Sequence, residues 1–348
     1  MTSNWFQSTN ARIAGAFAMA LLLQVVGTLL IPGYSAPFAI RALLVIASLL
    51  AVASIGQTLV VILGGIDLSI PFVIGFANVV AAQLYGQGWN FALVCGLVGV
   101  LAIAIGALNG LISRGLNIHP LIVTLGIGMV VQGAVLLWTG GFPSGSAPQA
   151  VSSFVSIGGS VGPLPVPLLV PSLVMLTALI VLVLARTPYG RRLYAVGSNP
   201  EAAPLALIDP LRMWIVTYAA SAFFAAVAGV LLLGFTGSAY GDVGQPYLFQ
   251  TIAAVVVGGA ALVGGRGSYL GTIAGVLVLT EINTLLIGLG FRSISMSPAS
   301  IGPVKAMLTE LPLQELKDFF KDNLMAPSLG TPMRALLQAF ADDRSIPL

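Results

Sequence analysis

Chemistry in a protein needs reactive groups at fixed spacing, and this chain of 348 residues has few of them before residue 290. Its one histidine, His119, directly precedes Pro120 at the start of an apolar run, and its one cysteine, Cys95, lies inside another. A lone histidine there reads as an interfacial residue ahead of a proton carrier. A lone cysteine excludes an internal disulfide and a cysteine metal cluster. Residues 1–290 contain no lysine. A phosphate-cradling loop needs one, so the membrane part cannot hydrolyse ATP by that route, and any energy comes from a partner or a gradient. No catalytic constellation, metal site or resident cofactor is expected.

What remains is a set of polar groups inside apolar runs: Gln57, Asp67, Asn109, Thr124, Gln132, Glu281 and Asn283. A carboxylate in hydrocarbon is costly unless paired or wetted, which singles out the two acids. Asp67 either caps the helix that follows it or lines a polar path. Glu281 sits well inside an apolar segment, and the sequence names no partner for it. The neutral members can join helices by hydrogen bonds, with a few facing a pathway. Amides and hydroxyls with little charge suit a neutral polyhydroxylated solute better than an ion or an amino acid.

The elements that must position these groups are membrane spans. The chain is 57% hydrophobic and 7% charged, against roughly 25% charged residues in a soluble domain. It is therefore expected to be an all-α polytopic membrane protein. Apolar segments place about nine spans near 13–31, 42–63, 70–85, 91–113, 120–138, 167–185, 212–235, 248–263 and 268–289, each near the roughly 20 residues a crossing needs. The first lacks a small-residue cleavage site and reads as a retained span. The net charge of +3 and pI of about 9.2 reflect loop arginines rather than a nucleic-acid partner.

One polar island interrupts this pattern, at residues 186–212, with four arginines and two acids. Arginine-rich loops stay cytoplasmic. Counting from a cytoplasmic N-terminus, seven of the eight arginines before residue 290 fall inside, Arg41 being the exception. Asn199-Pro200 and Asp209-Pro210 are each suited to open a helix, so the island reads as a short helix outside the bilayer followed by a span. Segments 139–166 and 236–247 are rich in glycine and fall outside, where together they offer a landing surface. GGIDLS (64–69) and GGRGS (264–268) are similar interruptions that read either as halves of an internal repeat or as ordinary tight turns.

Composition changes at residue 291. All three lysines and twelve of the twenty-five charges lie beyond it. Apolar residues at three- to four-residue spacing over 304–324 predict an amphipathic helix in this 291–348 tail, not a tenth span, beside a 1–290 transmembrane domain.

At GGIDLS, at NIHPLIVTLGIGMVVQGAVLLWTGG (117–141), at GRRLYAVGSNPEAA (190–203) and at TIAAVVVGGAALVGGRGSYLGT (251–272), the chain resembles the membrane subunits of bacterial ABC importers for monosaccharides, the ribose/xylose/arabinose permease family. The resemblance implies a type II-like importer fold in the bacterial inner membrane, with two permease subunits, identical or not, around a central path. It also implies cytoplasmic ABC ATPase subunits that bind ATP and Mg, and a periplasmic sugar-binding protein outside. The family's coupling element, which fits a cleft in the ATPase, matches Gly197 to Ile208. Tyr194, Gly197, Asn199, Pro200, Glu201, Ala202 and Ala203 carry that assignment here. Ser198, Pro204 and Leu207 stand where the family usually has glycine, arginine and glycine. Pro204 lacks an N–H, so a helix begun at Pro200 stops after one turn. After GGIDLS the chain has Ile70-Pro71-Phe72 in place of the family's Val-Gly-Ser, and its tail does not supply the family's last span. The rival readings are a branched-chain amino acid permease, a proton-coupled secondary transporter using Glu281 or Asp67, and a non-transporting membrane subunit.

Overall fold

The computed structural model describes residues 9–161 and 165–289. The expected boundary at 291 and the amphipathic helix over 304–324 lie outside the described residues. A helix forms within each of the nine expected spans. Seven are long and apolar enough to cross a membrane: α1 (Thr9–Leu30), α2 (Pro37–Leu63), α4 (Phe91–Gly115), α5 (Pro120–Thr139), α7 (Leu169–Arg186), α9 (Pro210–Thr236) and α11 (Tyr269–Gly288).

The other two are shorter. Helix α3 (Ile70–Gly86) has 17 residues and α10 (Tyr247–Val257) has 11. At 1.5 Å per residue α10 rises about 16 Å, roughly half of a 30 Å hydrocarbon core. The apolar run to residue 263 predicts a longer helix, but it stops at Gly258 and Gly259. Gly259 has φ +89°, and Gly258 packs so closely on Gly271 of α11 that a methyl group there would collide with the Gly271 carbonyl. Backbone broken at membrane depth is tolerated only where protein surrounds it.

Helix α2 is apolar on every side, the pattern of a helix enclosed by others. Every residue from Ala47 to Leu63 is buried. Helix α9 packs against α2, α3 and α4. Its contact with α4 is made through Gly106 and Gly110, four residues apart, each against α9 backbone at Tyr218–Ala219 and Trp214–Ile215. Small residues at this spacing let helices approach in lipid, where no hydrophobic force drives them together.

The loops sort to two ends. Arg12 lies against Gly259, Gly115 meets Leu211, and the Tyr194 hydroxyl donates to the Gly267 carbonyl at 2.8 Å. The segments bearing Arg12, Arg114, Arg266 and the 186–212 island thus share one end, as the arginine count expects. At the other end Ser146 and Ser238 form an antiparallel bridge, joining the two glycine-rich segments expected to make one surface. The first of these also holds a seven-residue helix, α6 (Gln149–Val155), not foreseen from its composition. It forms because Val151 packs on Gly234 of α9 and Val155 is buried beneath.

Gly110→Val places a side chain against α9 backbone and is expected to destabilise the bundle by about 1–3 kcal/mol, the usual overpacking range. Thermal unfolding in detergent checks this. Gly126→Val on α5, where an added methyl meets nothing within 4 Å, is the control and should be near neutral.

Candidate functional site

The 186–212 island folds as helix α8 (Pro188–Ser198), a turn, and a single 3-10 turn (Ala203–Ala206) before α9. Its helix therefore precedes Asn199, earlier than the Asn-Pro signal indicates. Thr187 opens it, its hydroxyl accepting from the Gly190 N–H at 3.4 Å. The Asn199 side chain instead accepts from the N–H groups of Glu201 and Ala202, at 3.1 and 3.0 Å, and shapes the turn around Pro200. Asp209 caps α9 as expected, accepting from Leu211 and Arg212. No helix begins at Pro200: the middle piece starts at Ala203 with Pro204 in its first turn, where a missing N–H is tolerated, and it ends at the left-handed Leu207.

The seven coupling candidates divide by direction. Gly197 and Ala203 are buried and Tyr194 half-buried, whereas Glu201 and Ala202 are exposed. A methyl on Gly197 would collide with the Ile62 carbonyl, and Gly265 donates to that same carbonyl at 2.8 Å. Gly264 in turn packs on Gly64. The two glycine interruptions thus lie side by side, with α8 seated across both. Their charges are not equivalent, since Asp67 is buried and Arg266 exposed. Burial raises the Tyr194 phenol above its usual value, so it serves as a neutral donor.

Sequence reasoning missed Leu205 and Leu207, which stand 89% and 96% exposed beyond Ala203. Leu207 also adopts φ +57°, a left-handed conformation where the resembled family has glycine. That departure was the available signal, since a leucine there costs about 1–2 kcal/mol.

Three of the pathway candidates meet at the 64–69 connection. The Asp67 carboxylate accepts from the Ser69 N–H and hydroxyl, at 2.9 and 2.6 Å, and from the Ser221 hydroxyl of α9 at 2.7 Å. Asn109 of α4 donates to the Ser69 hydroxyl at 2.9 Å. The Thr124 hydroxyl of α5 donates to the Pro120 carbonyl and accepts from the Leu68 N–H at 3.0 Å. All three are buried, and together they lash a non-helical stretch to three helices. Gln57 is buried on α2, and neither amide atom has a hydrogen-bond partner among the described residues.

The others stand apart. Glu281 is buried on α11 and accepts from the Tyr34 hydroxyl at 2.6 Å, which fastens the α1–α2 turn to that helix. Burial first, and the Glu281 carboxyl second, raise the Tyr34 phenol, which stays protonated. Asn283 is exposed on α11. Gln132 of α5 donates to Asp242 at 2.9 Å, and both line a cavity of about 220 Å³. His119 caps α5, its Nδ1 accepting from the Leu121 N–H at 3.4 Å.

A family model described as the permease component of branched-chain amino acid transport systems matches residues 39–312. The ribose import permease protein RbsC of Bacillus subtilis (strain 168) is 32% identical over 290 residues, covering 80% of this chain and 86% of the relative. The fructose import permease protein FrcC of Rhizobium meliloti is 33% identical over 269 residues, covering 75% and 74%. The probable ABC transporter permease protein YphD of Escherichia coli (strain K12) is 34% identical over 288 residues, covering 83% and 86%. No solved structure matches. With an all-helical multi-pass body and relatives that span most of its length, the chain belongs to this permease-component family of ABC importers.

Proposed function

We propose that this chain forms the membrane path of an ATP-driven monosaccharide importer in the bacterial inner membrane, with its N-terminus and the arginine-bearing end in the cytoplasm. The observation that carries this reading is the division of the 186–209 segment into a glycine seat and an exposed tip. The tip, Glu201 to Leu207, docks an ABC ATPase subunit that binds ATP and Mg. The seat at Gly197 passes the movement to the end of α2 and, through the 264–265 corner, to the start of α11. A second copy or a related permease subunit completes the path, and a sugar-binding protein docks on the surface joined by Ser146 and Ser238.

A monosaccharide is favoured over a branched-chain amino acid because relatives of 32% and 33% identity are named for ribose and fructose import. A proton-coupled carrier is not favoured, because Glu281 is buried against Tyr34 and has a structural partner.

The paired change Glu201→Lys, Ala202→Trp is expected to cut ATPase co-purification and sugar uptake at least tenfold, with membrane insertion unchanged. Normal uptake and co-purification would contradict the docking assignment. Leu207→Gly should separate two effects. Relief of the left-handed leucine stabilises the fold by about 1 kcal/mol, and loss of a leucine from the docking contact weakens ATPase binding. A melting curve and a pull-down read the two signs. Glu281→Gln retains an acceptor for Tyr34 and is expected to leave uptake near wild type and equally insensitive to pH across the neutral range. Loss of uptake with loss of a proton current would instead revive the secondary-transport reading.

A further inference from the structure

After α9 ends, the chain does not stay on the outer surface. Gly241 packs on Gly75 and Gly244 on Pro71, both in the first two turns of α3. Asn78 holds the descent, its side-chain oxygen accepting from the Tyr240 N–H at 2.9 Å and its amide donating to the Gly229 carbonyl at 3.4 Å. Gly229, seven residues before the end of α9 at Thr236, packs on Ile74 of α3. Asp242, carried between Gly241 and Gly244, therefore sits about 10 Å below the outer end of α9, at 1.5 Å per residue.

Asp242 is exposed at that depth. A carboxylate facing lipid there would cost up to about 3 kcal/mol on insertion scales, which favours a position on the path or against a second subunit over one in lipid. Asp242 lines the cavity of about 220 Å³ together with Phe72, Phe76, Gln132 and Tyr240. At about 30 Å³ per liquid water this holds roughly seven waters, the scale of one sugar ring. The bond from Gln132 Nε2 occupies Asp242 Oδ1. Among the described residues Asp242 Oδ2 and Gln132 Oε1 have no hydrogen-bond partner, which leaves an acceptor on each of two residues that line this cavity.

We propose that Asp242 and Gln132 form a monosaccharide contact on the outer half of the transport path. This rests on the importer reading above and deepens it. Two acceptors take neighbouring sugar hydroxyls, and the negative faces of the aromatic rings meet the C–H side of the ring. The carboxylate of an amino acid would need a cation here, and among the described residues no lysine or arginine lines the cavity.

The test uses the whole complex, with its ATPase subunits and binding protein, in proteoliposomes supplied with radiolabelled ribose or fructose. Asp242→Asn, which keeps the shape, and Gln132→Leu, which removes the partner from another helix, should each lower uptake at least tenfold. Co-purification with the ATPase shows that both variants are folded. Uptake within twofold of wild type for both variants overturns this inference alone. A wild-type complex that carries a branched-chain amino acid and no monosaccharide overturns the importer reading and this inference with it.

Discussion

The contact on which the rest of the molecule depends is made without side chains. Gly197 of α8 lies on the Ile62 carbonyl, Gly265 donates to that carbonyl, and Gly264 lies on Gly64. Three segments far apart in sequence meet there at backbone distance, which glycine alone permits. Hydrocarbon offers no hydrogen bonds, so a chain that leaves helical geometry must satisfy its polar groups within the protein. The end of α2 does so at this corner. Gly64 takes the left-handed conformation, and the carbonyl left free at Ile62 finds the Gly265 N–H.

The buried polar cluster follows from the same constraint. Once α2 has ended at Leu63 and the chain has turned at Gly64, residues 65–69 run buried or half-buried to the start of α3, and Asp67, Asn109, Thr124 and Ser221 supply the groups that hold them. Tyr218 adds a bond to the Ile66 carbonyl at 3.3 Å. At the end opposite α8 the descent of 240–245 is fixed by glycines against α3 and by Asn78. Both interruptions bring helix starts, those of α3 and α10, into the body of the bundle. Polar side chains at these breaks face either protein, as Asp67 does, or a cavity, as Asp242 does.

Much of this architecture is legible in the sequence, because span length and the placement of arginines are local signals. The starts at Pro120 and Pro210, and the cap at Asp209, stand where the residue types place them. The end of α10 is not legible from the apolar run 248–263, since hydropathy does not register the close approach of Gly258 to Gly271. The partner of Glu281 is a tyrosine 247 positions away, beyond the reach of any local pattern. Asp242 reads as part of an outer loop until the fold returns that loop to α3. Leu207 shows itself only as a residue in a glycine's place, and its left-handed backbone gives that substitution its physical meaning.

The central claim is that α8 works as a rigid seat, distinct from the tip proposed to dock the ATPase. Gly197→Ala tests it most directly, because the added methyl collides with the Ile62 carbonyl and leaves Glu201 to Leu207 untouched. Sugar transported per ATP hydrolysed is the quantity to measure in the reconstituted complex. The account predicts that the ATPase still binds and hydrolyses ATP while transport per ATP falls at least tenfold. Wild-type stoichiometry in Gly197→Ala would contradict it.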